Sequence, residues 1–245
     1  MIKLSDRLEL IANLIQKDET MADIGTDHGF LPVALWERGI CRKIILSDVN
    51  RGPLEKAKEN IELSNPGAEL DLRLGNGLKT LSSGEVTTVV LAGMGGVLMT
   101  EIPGEDFAKS KSFEKIILQP RNGQSKLRYW LSVNGFEILK EELVKEGKSI
   151  CEIIVIKPAE KAFAGNASAE KADWQEIQFE LPEQKNLGDT LLLKEFVQNK
   201  IRIDKKIIDE IVTGKNENSS LNRQKIARSK ERIIFMEEYL KDAGE

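Results

Sequence analysis

Apolar positions in the first half of the chain fall in short runs rich in β-branched residues, at 20–24, 43–47, 70–74, 86–92 and 115–119. Each is apolar enough to be buried on both faces of a parallel sheet. Amphipathic stretches lie between them, at 32–38, 53–63, 97–102 and 124–133, with Pro32 and Pro53 near helix starts, where a missing N–H costs nothing. Strands alternating with helices predict an α/β fold with a doubly wound sheet. After the fifth strand the rhythm changes. Segments 136–144 and 150–157 both read as strands and are separated only by 145–149, whose Gly147 suits a hairpin turn, so the sheet is expected to end antiparallel.

From 158 to 182 the chain turns to Ala, Gly, Asn, Ser and charge, the composition of a loose connection. Two long helices are expected beyond it. Leu193, Val197, Ile201, Ile208 and Ile211 fall on one face of the first, and in the second Ile226, Ile233 and Leu240 recur every seven residues with Met236 between them. Segment 213–219, with Gly214, supplies the turn of an antiparallel pair of coiled-coil type. The expected organisation is an α/β domain over 1–160, then a linker and helical domain over 161–245.

Composition narrows the function. An apolar share of 40% supports a packed core, and the N-terminal 1–14 has helical spacing rather than the continuous apolar run of a signal peptide. No segment reaches membrane-spanning length, and a cytoplasmic location is expected. Two cysteines far apart and a single histidine leave too few ligands for a zinc centre, so neither a metal nor a structural disulfide is expected. The formal net charge of -4 confines any polyanion site to a local patch.

Candidate chemistry gathers at the carboxyl ends of the expected strands. The first ends in Ala22-Asp23-Ile24-Gly25-Thr26-Asp27-His28-Gly29, where Gly25 permits a tight turn and Gly29 lets backbone approach a cofactor. Asp23, Thr26 and both glycines are assigned to the cofactor. Asp48 ends the second strand, where a carboxylate accepts the hydroxyls of an adenosine ribose or else caps the next helix. After the third strand, Asn76 and Gly77 either meet the adenine or form an ordinary Asn-Gly turn. The fourth ends in Ala92-Gly93-Met94-Gly95-Gly96, a wide backbone-lined opening, with Ala92 and Gly93 on the cofactor side and Gly95 and Gly96 on the substrate side. At the end of the fifth, Gln119, Arg121 and Asn122 form a polar substrate cluster in which Arg121 clamps a phosphate or is a plain loop arginine. His28 reads as a positioning residue rather than a base.

Taken together, ADIGTDHGFLP, RLGNGL, LAGMGG, ILQPR and CEIIVIKP resemble the bacterial tRNA adenine-N1 methyltransferases of the TrmK family, which modify position 22 in the D-arm. The likeness covers residues 4–158 in detail, and the helical tail matches the family's coiled-coil appendage in kind. Five parallel strands and a hairpin also look like the seven-stranded sheet of class I methyltransferases. The resemblance implies a Rossmann-like fold of that class, S-adenosyl-L-methionine as donor with S-adenosyl-L-homocysteine as product, tRNA as substrate and the helical domain as a positioning arm. Asn76 departs from the acidic residue usual at its position. Adenine N1 has an in-plane lone pair and no proton, so direct attack on the methyl needs no general base. Asp27 is the candidate for steering substrate or stabilising the developing charge, and Met94 for shaping the slot. Contacts to tRNA are expected from Arg223, Lys225, Arg228, Lys230 and Arg232 on the last helix and from Lys109, Lys111, Lys126 and Arg128, unless these are a solvated face. A monomer is expected, with a homodimer left open. Two rival readings remain: a small-molecule methyltransferase, and a non-enzymatic S-adenosylmethionine-binding interaction protein.

Overall fold

The computed structural model describes residues 2–64, 67, 70–159, 177–214 and 219–243. Seven strands form one sheet: β1 (Met21–Ile24), β2 (Ile44–Asp48), β3 (Asp71–Leu74), β4 (Thr88–Gly95), β5 (Lys115–Asn122), β6 (Phe136–Glu146) and β7 (Ser149–Pro158). The helices are α1 (Asp6–Asn13), α2 (Phe30–Glu37), α3 (Arg51–Ser64), α4 (Gly96–Gly104), α5 (Phe107–Ser110), α6 (Gln124–Val133), α7 (Leu193–Val212) and α8 (Ser220–Asp242). Spatial order in the sheet is β3-β2-β1-β4-β5-β7-β6, with β1 to β5 parallel and β7 antiparallel to both its neighbours. The expected hairpin is present. Its Gly147 has φ +62, as a two-residue turn between Glu146 and Ser149 requires.

Alternation along the strands divides the core. Met21, Leu46, Val90 and Ile117 pack on one face beneath Ile11, Leu35 and Ile61, whereas Ala22, Ile45, Val89, Leu91 and Leu118 pack on the other beneath Met99, Leu127 and Leu131. The expectation of burial on both faces fails at β3. It is an edge strand whose Leu72 and Arg73 are half-buried, while Asp71 and Leu74 are exposed. Helix starts also differ: α2 and α3 begin two residues earlier than expected, placing Pro32 and Pro53 inside the first turn rather than at its first position.

A third cluster joins the tail to the sheet. Leu193, Phe196, Val197 and Ile201 of α7 and Met236 of α8 pack with Leu143 of β6 and with Leu181. Of the expected loose connection, 160–176 lies outside the described residues. The part that follows is packed: Leu181 is buried and Glu180 pairs with Arg232 at 3.3 Å. Residues 215–218 of the expected helical turn also lie outside the described residues. A charged layer sits between the two helices, where buried Asp204 of α7 meets Arg232 of α8 at 3.2 Å. Among the described residues no helix is long and apolar enough to cross a membrane.

Candidate active site

Strand order reverses between β1 and β4, and in open α/β sheets such a switch point leaves a crevice beyond the carboxyl ends of the strands. The turn after β1 is tied to the next strand, since the N–H groups of Gly25 and Thr26 both donate to the carbonyl of Ser47, at 2.8 and 3.0 Å. Gly25 has φ +76, and a Cβ there would stand 2.2 Å from Cε of Met94. The glycine thus gives both the turn and room for the methionine. Behind it the Thr26 hydroxyl donates to Oδ2 of Asp23 at 2.7 Å. Burial pushes the Asp23 carboxyl up to about 6, against the pull of that hydrogen bond.

Asp27 and His28 continue the turn. His28 adopts φ +63, a conformation rare for a residue with a side chain, and its carbonyl accepts from Nδ2 of Asn60 at 2.8 Å. Its ring stacks on Phe30 with centroids 5.5 Å apart, and its Nδ1 pairs with the Asp27 carboxylate.

The crevice is a cleft of about 630 Å³, within the roughly 300–1,000 Å³ of small-molecule sites. Asp23 comes to it from β1, Gly25 and Asp27 from the turn after β1, Asp48 from β2, Asn76 and Gly77 from the turn after β3, Ala92, Gly93 and Met94 from β4, and Arg121 from β5. Asp48 lines the cleft, and its Oδ1 accepts the N–H of Asn50, the residue just before α3, at 2.7 Å. Carboxylates predominate, with Asp23, Asp27, Asp48 and Glu146 set against Lys3, Arg7 and Arg121.

Other expected site residues lie outside the lining, each for a physical reason. Thr26 is buried beneath the turn, bound to Asp23. Gly29 has φ +68 and caps α2, and a Cβ on it would touch Ala57 and Leu46 at 3.0 and 3.1 Å, so its close approach is to α3 and β2 rather than to a cofactor. Gly96 is buried where a Cβ would meet the carbonyl oxygens of Asn122 and Gly123, each at 2.6 Å. Gly95 and Asn122 face each other in the β4–β5 ladder. Gln119 is buried, with its side-chain oxygen turned to Arg7 and to the Gly93 N–H, and so is not presented to a substrate. His28 stands behind Asp27, and Arg223 and Arg228 lie on α8, with Arg228 near Glu231 at 3.9 Å. Arg128, expected among the surface cations, is buried between Glu141 and Glu152.

The sequence reading missed the fourth wall. Lys3 and Ser5, from the segment leading into α1, and Arg7, in its first turn, line the cleft with Glu146 at the end of β6, as do the exposed Phe30 and Leu98. One signal was available: Leu8 and Ile11 give α1 an apolar face toward the core, continued by Ile15 just beyond it, which commits the preceding residues to lie along the sheet's rim. Among the described residues no group of three or more His, Cys, Asp or Glu could hold a metal ion.

Comparison with known proteins gives this cleft a context. The methyltransferase-domain family matches residues 4–154, the stretch that builds the sheet and nearly every wall of the cleft. The tRNA (adenine(22)-N(1))-methyltransferase of Bacillus subtilis is 27% identical over 239 residues, 98% of each chain. Among solved structures, Streptococcus pneumoniae Sp1610, described as a candidate tRNA (m1A22) methyltransferase and solved in complex with S-adenosyl-L-methionine, is 30% identical with a TM-score of 0.72, covering 94% of this chain and 100% of that one. M. capricolum TrmK, solved with S-adenosyl-homocysteine, shares the fold at 23% identity, with a TM-score of 0.76 over 97% of this chain and 98% of that one. The chain belongs to the methyltransferase-domain family and, within it, groups with the bacterial tRNA (adenine(22)-N1)-methyltransferases.

Proposed function

We propose that the chain is an S-adenosylmethionine-dependent tRNA methyltransferase that methylates N1 of an adenine in the D-arm, at position 22, by direct in-line transfer without a general base. The observation that carries this reading is an acidic, glycine-bounded cleft at the switch point of the sheet, in a chain that aligns with the B. subtilis enzyme over nearly the full length of both. The residues present suit the donor. Asp48, its Oδ1 fixed by the Asn50 N–H, is set to accept a ribose diol, and the excess of carboxylates favours a ligand carrying sulfonium and ammonium charge. Asn76 offers an amide to the adenine in place of the usual carboxylate.

When bound, S-adenosylmethionine supplies an electrophilic methyl group on its sulfonium. The chain's contribution is alignment, which in favourable cases lowers a barrier by roughly 7–11 kcal/mol. Met94, seated against Gly25, bounds the slot on one side, and Phe30 and Leu98, 39% and 43% exposed, offer apolar surface at its mouth to a base drawn from its stack. Adenine N1 carries no proton to remove, so Asp27 is not required as a base. Its exposed carboxylate, held by His28, offsets the positive charge that the base acquires. Within the linker and helical domain over 161–245, the helical pair acts as a tRNA-positioning arm on the catalytic domain over 1–160, in a monomeric protein of the cytoplasm.

Incubation with methyl-labelled donor and unmodified tRNA, followed by nucleoside identification, tests the reading. Label in 1-methyladenosine at position 22 is the expected result. Label on the exocyclic amine or transfer only to small acceptors overturns it, and donor binding without turnover leaves the non-enzymatic rival.

A further inference from the structure

The β4–β5 ladder is broken at the cleft. Ala92 pairs with Gln119 and Met94 with Pro120, so Gly93, at φ +74, is left over as a bulge residue. A bulge re-aims the side chain beside it, here Met94, and releases a backbone N–H from the ladder. The Gln119 side chain takes that donor: the Gly93 N–H donates to its Oε1 at 3.0 Å, while its Nε2 donates to the Pro120 carbonyl at 3.1 Å. The same Oε1 accepts from Nη1 of Arg7 at 3.0 Å, and Nε of Arg7 donates to Oε2 of Glu146 at 2.9 Å. One line of hydrogen bonds therefore runs from the end of β6, through α1 and β5, to the backbone of the methyl slot.

We infer that Arg7 is a positioning residue, which fixes the Gly93 bulge through Gln119 and so sets where Met94 stands in the slot. Gln119 is buried and cannot reach solvent for an alternative donor, so its orientation is decided by the groups around it. With Arg7 present the carbonyl end of the amide has two donors and is held toward Gly93. With Arg7 removed, the carbonyl end of the amide is held by the Gly93 N–H alone, so the amide can rotate away from the bulge and release that N–H. Glu146 keeps Arg7 in line. Burial raises the Glu146 carboxyl, but hydrogen bonds from Ser5 and Arg7 and the charges of Arg7 and Arg121 bring it below the usual range, so it stays ionised as the anchor. The role in catalysis rests on the proposed methyl transfer, whereas the brace itself is a property of the free protein.

Arg7→Met keeps the length of the side chain and removes its donors. In the free protein, hydrogen exchange at the Gly93 amide is expected to quicken by roughly tenfold while Val89, Val90 and Leu91 in the same strand are unchanged, as a local opening requires. The methyl resonance of Met94 is expected to shift. In turnover, kcat on tRNA is expected to fall by roughly tenfold to a hundredfold with donor affinity within about threefold of the parent, the pattern of a misplaced slot rather than of a missing ligand group. Gln119→Met, which removes the acceptor itself, is expected to expose the Gly93 amide as Arg7→Met does. Unchanged Gly93 exchange in Arg7→Met overturns the inference, and so does a loss confined to donor affinity, which would make Arg7 a direct ligand of the donor. Should the parent protein fail to methylate tRNA, the functional reading falls, and the Gly93 exchange still decides whether the brace exists.

Discussion

At the scale of single residues, the cleft holds one group whose charge is set by its burial. Asp23 titrates near 6 in the folded chain, against about 3.9 unfolded. The folded state therefore keeps the proton to higher pH. Stability from this group is fully present below about pH 4 and is lost as pH rises through about 6, at up to about 1.4 kcal/mol for each pH unit crossed. Asp23→Asn, which keeps an acceptor for Thr26, is expected to remove that decline, so that denaturant unfolding of parent and variant diverges between pH 4 and 7 in favour of the variant. Curves that stay parallel would mean that Asp23 is ionised throughout. The same variant is expected to bind a cationic donor more weakly at pH 7, because a carboxylate kept charged against its own burial is one that its ligand favours.

Gly25 and Gly96 separate function from packing. In Gly25→Ala the new methyl meets only the end of the flexible Met94 side chain, at 2.2 Å, so the fold loses about 1–2 kcal/mol for the left-handed backbone while the slot is disturbed directly. In Gly96→Ala it meets two carbonyl oxygens at 2.6 Å, which no rotamer change relieves, and stability is expected to fall by about 1–3 kcal/mol or more. Thermal unfolding and donor calorimetry on both variants distinguish the cases: Gly25→Ala should show the greater loss in affinity relative to its loss of stability.

At the scale of elements, an ion network joins α6, the hairpin and the tail. Arg128 is enclosed by Glu141 and Glu152, and its Nη1 donates to the carbonyl of Phe179 at 3.2 Å. Burial raises the Glu141 carboxyl even against the charge of Arg128. Arg128→Met leaves buried Glu141 without a cation and Glu152 with only Lys200, at 3.9 Å, and is expected to cost about 3–5 kcal/mol at neutral pH. Because protonation relieves the buried Glu141 carboxyl, which burial already raises, the deficit should shrink as pH falls. A deficit independent of pH would show that packing, not charge, is what the arginine supplies.

Elements repeat a period, and so most of them are legible in sequence. The five parallel strands follow from runs such as Lys115 to Leu118, and the hairpin from two apolar runs around Gly147. The site is less legible, because a motif names residues and not the directions they face. Asp48 and Met94 could be placed from strand ends alone. Gly29 could not be assigned to Ala57, nor Gln119 to Arg7, since each pairing joins segments 28 and 112 residues apart. Arg128 looked like one more surface cation because its partners, 13 and 24 residues away, meet it only once the hairpin packs on α6.

For the whole molecule, the question is how a chain of net charge -4 engages a polyanion. The cleft is itself acidic, and so it suits the donor and repels the phosphates around the target base. Attraction must come from elsewhere. Residues 220–230, the first half of α8, contain Arg223, Lys225, Arg228 and Lys230 and no acidic residue, whereas the second half is mixed. Since Leu143 and Leu181 pack against α7 and α8, this basic stretch is carried on a firm support rather than a loose tether. Changing Arg223, Lys225 and Lys230 together to Gln is expected to weaken tRNA binding and to flatten the dependence of log K on log salt by roughly one unit for each phosphate no longer neutralised. Donor affinity, set in the cleft of the catalytic domain, is expected to be unaffected. A triple variant whose salt dependence matches the parent would remove α8 from the RNA interface and return the role to the cations of the sheet domain, where Lys126 and Lys109 would be the next to change.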